Sequence, residues 1–218
     1  MSWPAVALLT AALPSSAAAC EVALLLAVDV SGSVDPSEYR LQVEGTATAL
    51  ADPSVAEALF RAQAAIAVVQ WSDAAQQGIA IPWTRILTPD APFRLAQTAA
   101  RIERQFDESN TAVGEALLWS ARLFDQVSDC QRRVIDISGD GPQNAGTPLP
   151  PARGQVLAQG IEINAIAIED PGQAIPITEF YRLQVIGGPG FVVTAHGHLD
   201  YADAIRAKLL REVEKPGY

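Results

Sequence analysis

The chain is short of positive charge, of histidine, of cysteine and of aromatic residues. Fifteen Lys and Arg stand against 25 Asp and Glu among its 218 residues, a formal net charge of −10, so phosphate-rich and anionic-lipid partners are repelled rather than steered in. Two cysteines are too few for a disulfide-stapled miniprotein. Beyond the first residues no run reaches the roughly 18 consecutive apolar side chains that span a bilayer. What is present is apolar material: 49% of the residues are hydrophobic and 18% charged, which excludes a disordered tail and suffices for one ordinary core.

Residues 1–19 carry no charged side chain, and a largely apolar stretch from Ala5 to Leu13 is followed by Pro14, two serines and a patch of alanines. This reads as a secretory signal, with small residues at Ala17 and Ala19 permitting cleavage before Cys20. No Lys or Arg precedes the stretch, so either the α-amino group is the only positive charge or the true start lies upstream. The expected domains are therefore a signal peptide over 1–19 and one folded domain over 20–218, periplasmic or secreted.

Cys20 and Cys130 form an even pair, as expected of a disulfide in an exported protein. Cys20 stands nine residues before Asp29 and Cys130 ten before Asp140, each Asp closing a segment that reads as a buried strand. Parallel neighbouring strands would bring both thiols to one end of the sheet, and closing so long a loop stabilises by about 4–5 kcal/mol in the chain-entropy model. The competing reading is a lipidated Cys20, which leaves Cys130 unpaired.

Short aliphatic runs alternate with amphipathic segments, the pattern of an α/β domain with a mostly parallel sheet. Strands are expected over Val22–Val30, Ala64–Trp71, Gly78–Ile81, Arg133–Ser138, Glu162–Ile168 and Phe191–Ala195. Several are apolar on both faces, as a sheet covered on both sides requires. Helices are expected over about Pro36–Leu50, Pro92–Gln105, Thr111–Val127, Pro151–Gln159, Thr178–Val185 and Tyr201–Glu214. The first has the clearest start, with Asp35 as N-cap, Pro36 at the first helical position and Glu38 completing a capping box. Gly187-Gly188-Pro189-Gly190 precedes a strand rather than a helix and reads as a tight turn, not a phosphate cradle.

The informative motif closes the first strand. Asp29-Val30-Ser31-Gly32-Ser33 puts a carboxylate and two hydroxyls at alternating positions on a loop that Gly32 frees to curl. Thr111 begins a later amphipathic segment, and Asp140 ends the run Ile137-Ser138-Gly139-Asp140-Gly141. At these residues the sequence resembles the von Willebrand factor type A domain, whose metal-ion-dependent adhesion site joins an Asp-x-Ser-x-Ser loop, a Thr and a further Asp. The matching positions are Asp29, Ser31, Ser33, Thr111 and Asp140, and Val68–Asp73 looks like the family's second strand. The resemblance implies a doubly wound six-stranded sheet of order 3-2-1-4-5-6 with the third strand antiparallel. Within that superfamily, Ala27–Ser33, Ser138–Gly141 and Ile186–Gly190 look most like a group of exported bacterial proteins catalogued as a domain of unknown function.

Two carboxylates and three hydroxyls are a hard, all-oxygen donor set, suited to Mg²⁺, Mn²⁺ or Ca²⁺ rather than zinc. Mg²⁺ is the expected cofactor. A cation held by few formal charges keeps electrophilic character and accepts a carboxylate from a partner protein, so an acidic chain can still hold an acidic ligand. The expected function is cation-dependent protein binding, with no catalytic residue assigned. The alternatives are a metal-dependent hydrolase and a scaffold whose metal site is closed. Among other residues, His196 and His198 offer too few ligands for zinc. Trp71 and Trp119 read as core, Trp83 as core or a partial surface anchor, and Glu169-Asp170 as solvated carboxylates at a strand end, near enough to the site for a supporting role.

Overall fold

A computed structural model describes residues 20–107, 110–169 and 176–214. The signal-peptide expectation, Ser109 and Asp170 fall outside these residues. The elements, in chain order, are β1 (Val22–Asp29), α1 (Pro36–Ala51), α2 (Pro53–Arg61), β2 (Ala65–Trp71), β3 (Gln77–Arg85), α3 (Ala91–Ala99), α4 (Val113–Ala121), β4 (Arg132–Gly139), α5 (Leu149–Ala158), β5 (Glu162–Ile168), α6 (Ile177–Phe180), β6 (Val192–Ala195) and α7 (Tyr201–Val213).

The six strands form one sheet of order β3-β2-β1-β4-β5-β6, with β3 antiparallel to β2 and the other pairs parallel. Every residue of β1 and β2 is buried, because the sheet is covered on both faces. Val22, Leu24, Leu26 and Val28 pack toward the layer of α1, α3 and α7, while Ala23, Leu25 and Ala27 pack toward α4, α5 and the segment around Phe180 and Tyr181. The period-2 alternation of a strand assigns successive side chains to the two layers.

At one end of β1 and β4, Cys20 and Cys130 form a disulfide, as the closely matched offsets to Asp29 and Asp140 predict for parallel neighbours. At the other end the chain leaves β1 for α1 on one face and β4 for α5 on the opposite face. The crevice between these two strand ends is the topological switch point, where ligands of doubly wound sheets bind.

Several helix boundaries depart from expectation for local reasons. Asp35 accepts from the Ser37 and Glu38 amides in the expected capping box, and Asp52, followed by Pro53, accepts from the Ser54 and Val55 amides to start α2, a helix the sequence pattern does not predict. The helix expected to reach Gln105 stops at Ala99, because the following backbone is captured by side chains. Tyr39 donates to the Ile102 carbonyl, Gln70 Nε2 donates to the Glu103 carbonyl, and Gln70 Oε1 accepts from the Gln105 amide. The last expected turn of the segment beginning at Thr178 is a π-helical turn, Tyr181–Val185. Gly190 closes the expected turn with a bond to Gly187. Among the described residues no helix is long and apolar enough to cross a membrane.

Candidate metal centre at the switch point

The carboxylate of Asp29 is carried to the rim by β1, where Val30 continues the ladder through a bond from its amide to the Trp71 carbonyl. The loop then turns back on itself: the Ser31 amide donates to Asp29 Oδ1 at 2.8 Å, and the Val34 amide to the Ser31 carbonyl at 3.1 Å. This curl aims the two hydroxyls at one point, with Ser31 Oγ and Ser33 Oγ 3.2 Å apart. Ser33 Oγ donates to Asp140 Oδ1 at 2.6 Å, and Thr111 Oγ1 lies 3.3 Å from Ser31 Oγ. All five residues singled out in the sequence therefore meet across β1, β4 and the loop before α4. Ser33 is exposed while Asp29, Ser31, Thr111 and Asp140 are buried, so the cluster has a wet mouth and a dry floor.

These separations fit a hard cation. Around an octahedral ion with oxygens at 2.0–2.1 Å, adjacent donors lie about 3 Å apart, close to the 3.2 and 3.3 Å seen between the hydroxyls. Charge supplies a second argument. Among the described residues Asp29 Oδ2, which is buried, has no hydrogen-bond partner. Burial, and then the nearby Asp140 carboxylate, push the Asp29 carboxyl up to about 8 in the metal-free protein. A divalent cation is the group that would let both carboxylates ionise together.

Supporting residues lay outside the sequence reading. Arg104 reaches across from the segment after α3, and its guanidinium donates to the Val30 and Ser31 carbonyls at 2.8 and 2.9 Å, fixing the loop backbone. Asn144 clamps Thr111 from both sides: its Oδ1 accepts from the Thr111 amide at 2.8 Å, while its own amide donates to the Thr111 carbonyl at 3.0 Å. These bonds hold Thr111 just outside α4, where the sequence pattern placed the helix start. Gln143 ties the same loop to α4, accepting from the Gly114 amide at 2.8 Å.

Tyr181 lies beneath the floor. Its hydroxyl is buried without a hydrogen-bond partner among the described residues, and its pKa is raised by burial and by the Asp29 and Asp140 carboxylates. Gly139 makes room for this approach, since a Cβ there would overlap the Tyr181 hydroxyl and stand 2.9 Å from Asp29 Oδ2. An Asn one turn after the Asp140 loop is ordinary turn chemistry, and a Tyr in a short helix is ordinary core. Neither carries a local signal of its role.

The remaining candidates resolve simply. Trp71 is fully buried and Trp119 packs partly buried against the same cluster. Trp83 donates to the Leu123 carbonyl at 2.9 Å and packs its ring on Phe124, which favours core packing over a surface anchor. Glu169 accepts from the Thr178 amide at 2.7 Å and so anchors α6 rather than standing solvated. His198 is buried with Nδ1 3.4 Å from Glu38 Oε1, while His196 is exposed. Among the described residues no three His, Cys, Asp or Glu side chains gather as a metal site, which leaves the mixed carboxylate–hydroxyl cluster as the candidate.

Solved structures share this architecture. Proximal thread matrix protein 1 from the mussel byssus, with a zinc-occupied MIDAS motif, superposes with TM-score 0.64 at 17% identity over 88% of this chain and 48% of its own, so the chain spans about half the mussel protein's length. A von Willebrand factor type A protein from Catenulispora acidiphila gives TM-score 0.62 at 16% identity over 90% of this chain and 43% of its own. The conserved hypothetical protein BatB from Bacteroides thetaiotaomicron gives 0.61 at 16% identity over 89% of this chain and 100% of its own. At such identities the likeness establishes the fold, that of the von Willebrand factor type A domain. No curated protein matches the sequence. With the fold and the strand-end motifs in place, and a family match running over residues 19–217, the chain belongs to the family described as "Protein of unknown function (DUF1194)".

Proposed function

We propose that this protein is an exported module that binds a divalent cation, Mg²⁺ in the first instance, and uses it to hold an acidic side chain of a partner protein. The observation that carries the reading is the convergence of Asp29, Ser31, Ser33, Thr111 and Asp140 at the switch point, with a buried Asp29 oxygen that no donor among the described residues satisfies. The two carboxylates would supply charge and the three hydroxyls neutral donors. The ion would supply a Lewis-acidic position that a carboxylate can fill. Ser33, exposed at the mouth, marks the side from which a ligand approaches. The zinc-occupied site of the mussel protein supports the capacity of the fold to hold a divalent ion there.

Residues 1–19 serve as the proposed signal peptide and 20–218 as the mature domain. The disulfide between Cys20 and Cys130 supports an oxidising, extracytoplasmic location over a lipid anchor on Cys20.

Isothermal titration of the metal-stripped protein with Mg²⁺, Mn²⁺ and Ca²⁺ tests the cation, and capture of envelope proteins with and without EDTA tests its use. The reading expects saturable binding that Asp29→Ala removes, and capture that EDTA abolishes. Undiminished capture by Asp29→Ala in EDTA rejects it, and steady turnover of generic phosphoesters would replace it with a hydrolase.

A further inference from the structure

A second cluster of ionisable groups lies deep in the molecule, away from the cation site, where α7 crosses β4 and β5. Lys208 of α7, Asp136 in the middle of β4 and Glu212, one helical turn beyond Lys208, are all buried, with Lys208 and Glu212 at 0% exposure. Lys208 Nζ stands 2.5 Å from Asp136 Oδ1 and 2.5 Å from Glu212 Oε1. Toward Glu212 the contact is an aligned hydrogen bond. Toward Asp136 it is not, and neither oxygen of that carboxylate accepts an aligned hydrogen bond from the described residues. Asn164 of β5 fixes Glu212 from the other side, donating to the same Oε1 at 2.7 Å, and the Phe191 ring covers Nζ at 5.4 Å. Arg132 donates to the Glu212 carbonyl at 2.8 Å and stands 3.7 Å from the Glu162 carboxylate.

A lysine pressed against one carboxylate, with a second carboxylate hydrogen-bonded to its ammonium and an aromatic ring over it, is arranged for condensation. We propose that Lys208 and Asp136 become joined by an intramolecular amide bond, with Glu212 as the proton carrier. Glu212 takes a proton from Nζ, and the freed lone pair attacks Cγ of Asp136. The N–Cγ bond forms and a Cγ–O bond breaks. Of the three ammonium protons one stays on the amide nitrogen, and two leave with the departing oxygen as water after relay through Glu212. One ammonium and one carboxylate become one amide and one water, Glu212 ends as it began, and no oxidant or co-reactant is needed.

Three physical conditions favour the step. With Nζ 2.5 Å from Oδ1, a C–O bond of about 1.2 Å puts it within about 3.7 Å of Cγ, near attack distance before any side chain moves. Burial holds the Asp136 carboxyl above its usual range, against the pull of Lys208, and so favours the acid form, whose hydroxyl departs more readily. The dry site also makes the ion pair costly to keep, whereas an amide carries no net charge. The bond would pin α7 to the strand that leads to Asp140.

Mass spectrometry of the purified, disulfide-intact protein decides the matter. The expected mass is lower by one water than that of the same chain with its disulfide alone. A reduced tryptic digest should yield Val134–Arg153 joined to Ala207–Arg211, with no cleavage after Lys208. Lys208→Arg should run at full mass, release Val134–Arg153 unlinked and be cut by trypsin after position 208, and Glu212→Gln should retain the water in most molecules. A wild-type protein at full mass, cut by trypsin after Lys208, overturns the proposal and leaves the cluster as an ion pair. Water loss undiminished in Glu212→Gln overturns the role given to Glu212.

Discussion

Asp29 and Asp136 lie on neighbouring parallel strands, both almost fully buried, yet their surroundings answer the cost of burial in opposite ways. Asp136 is supplied with a cation by the chain itself, Lys208 at 2.5 Å. Asp29 is not: among the influences on its carboxyl, burial and the neighbouring Asp140 dominate and the pull of Arg104 is the weakest. A buried carboxylate without a counter-charge is expensive. An isolated one on a rim of hydroxyls is therefore evidence for a charge that arrives from solution. The closed site is sealed by α7, while the open one ends in the exposed Ser33.

Removing Lys208, the partner of Asp136, gives the largest expected effect. Lys208→Met strands two buried carboxylates and should cost about 3–5 kcal/mol in urea unfolding, where a loss under about 1 kcal/mol would show the cluster to be slack. At the open site, Asp29→Ala should weaken Mg²⁺ binding by at least about 100-fold in calorimetry, beyond the range typical of outer-shell losses. The two sites should also respond with opposite signs. In metal-free protein at pH 8, Asp29→Asn should raise the melting temperature by relieving an unpaired carboxyl, while Asp136→Asn should lower it. Equal signs would erase the distinction drawn between them.

Titration sharpens the comparison further. The folded-state value of Asp29, about 8, lies above its unfolded value. Its stabilising contribution is complete below the unfolded value of roughly 3.9 and is lost as the pH rises through the folded one. Metal-free protein should therefore lose thermal stability progressively from about pH 4 to pH 8 on account of this group. Saturating Mg²⁺ should flatten that loss, because the bound ion keeps Asp29 ionised. The smallest effect is expected for Tyr181→Phe, which deletes a hydroxyl that has no partner among the described residues. It should change metal-free stability by less than about 1 kcal/mol, measured by the same unfolding curves.

Much of the open site was legible in the chain because its donors sit at strand ends, where local grammar is strong. Asp29-x-Ser31-x-Ser33 follows a run of aliphatic residues and precedes a capped helix, and Asp140 follows β4 in the same way. Thr111 was legible as a residue but not as a position. It lies outside α4 because Asn144, distant in sequence, holds both its amide and its carbonyl. The early end of α3 has the same origin, since Tyr39 and Gln70 capture the backbone that propensity would have left helical. The start of α2 was within reach, as Asp52-Pro53 repeats the Asp35-Pro36 device.

The amino-acid order determined the layered α/β architecture, through aliphatic runs too long to expose and helices capped by Asp and Pro, and it fixed which five oxygen-bearing side chains stand at loop starts. Only the tertiary structure decided that Asp136, Lys208, Glu212 and Asn164 meet, and that Tyr181 and Arg104 support the loops of the candidate metal site. Their partners lie on different elements, and no short-range pattern encodes the crossing of α7 over β4. That crossing follows from burying a helix face against a sheet, an energy summed over many contacts rather than spelled by any one motif.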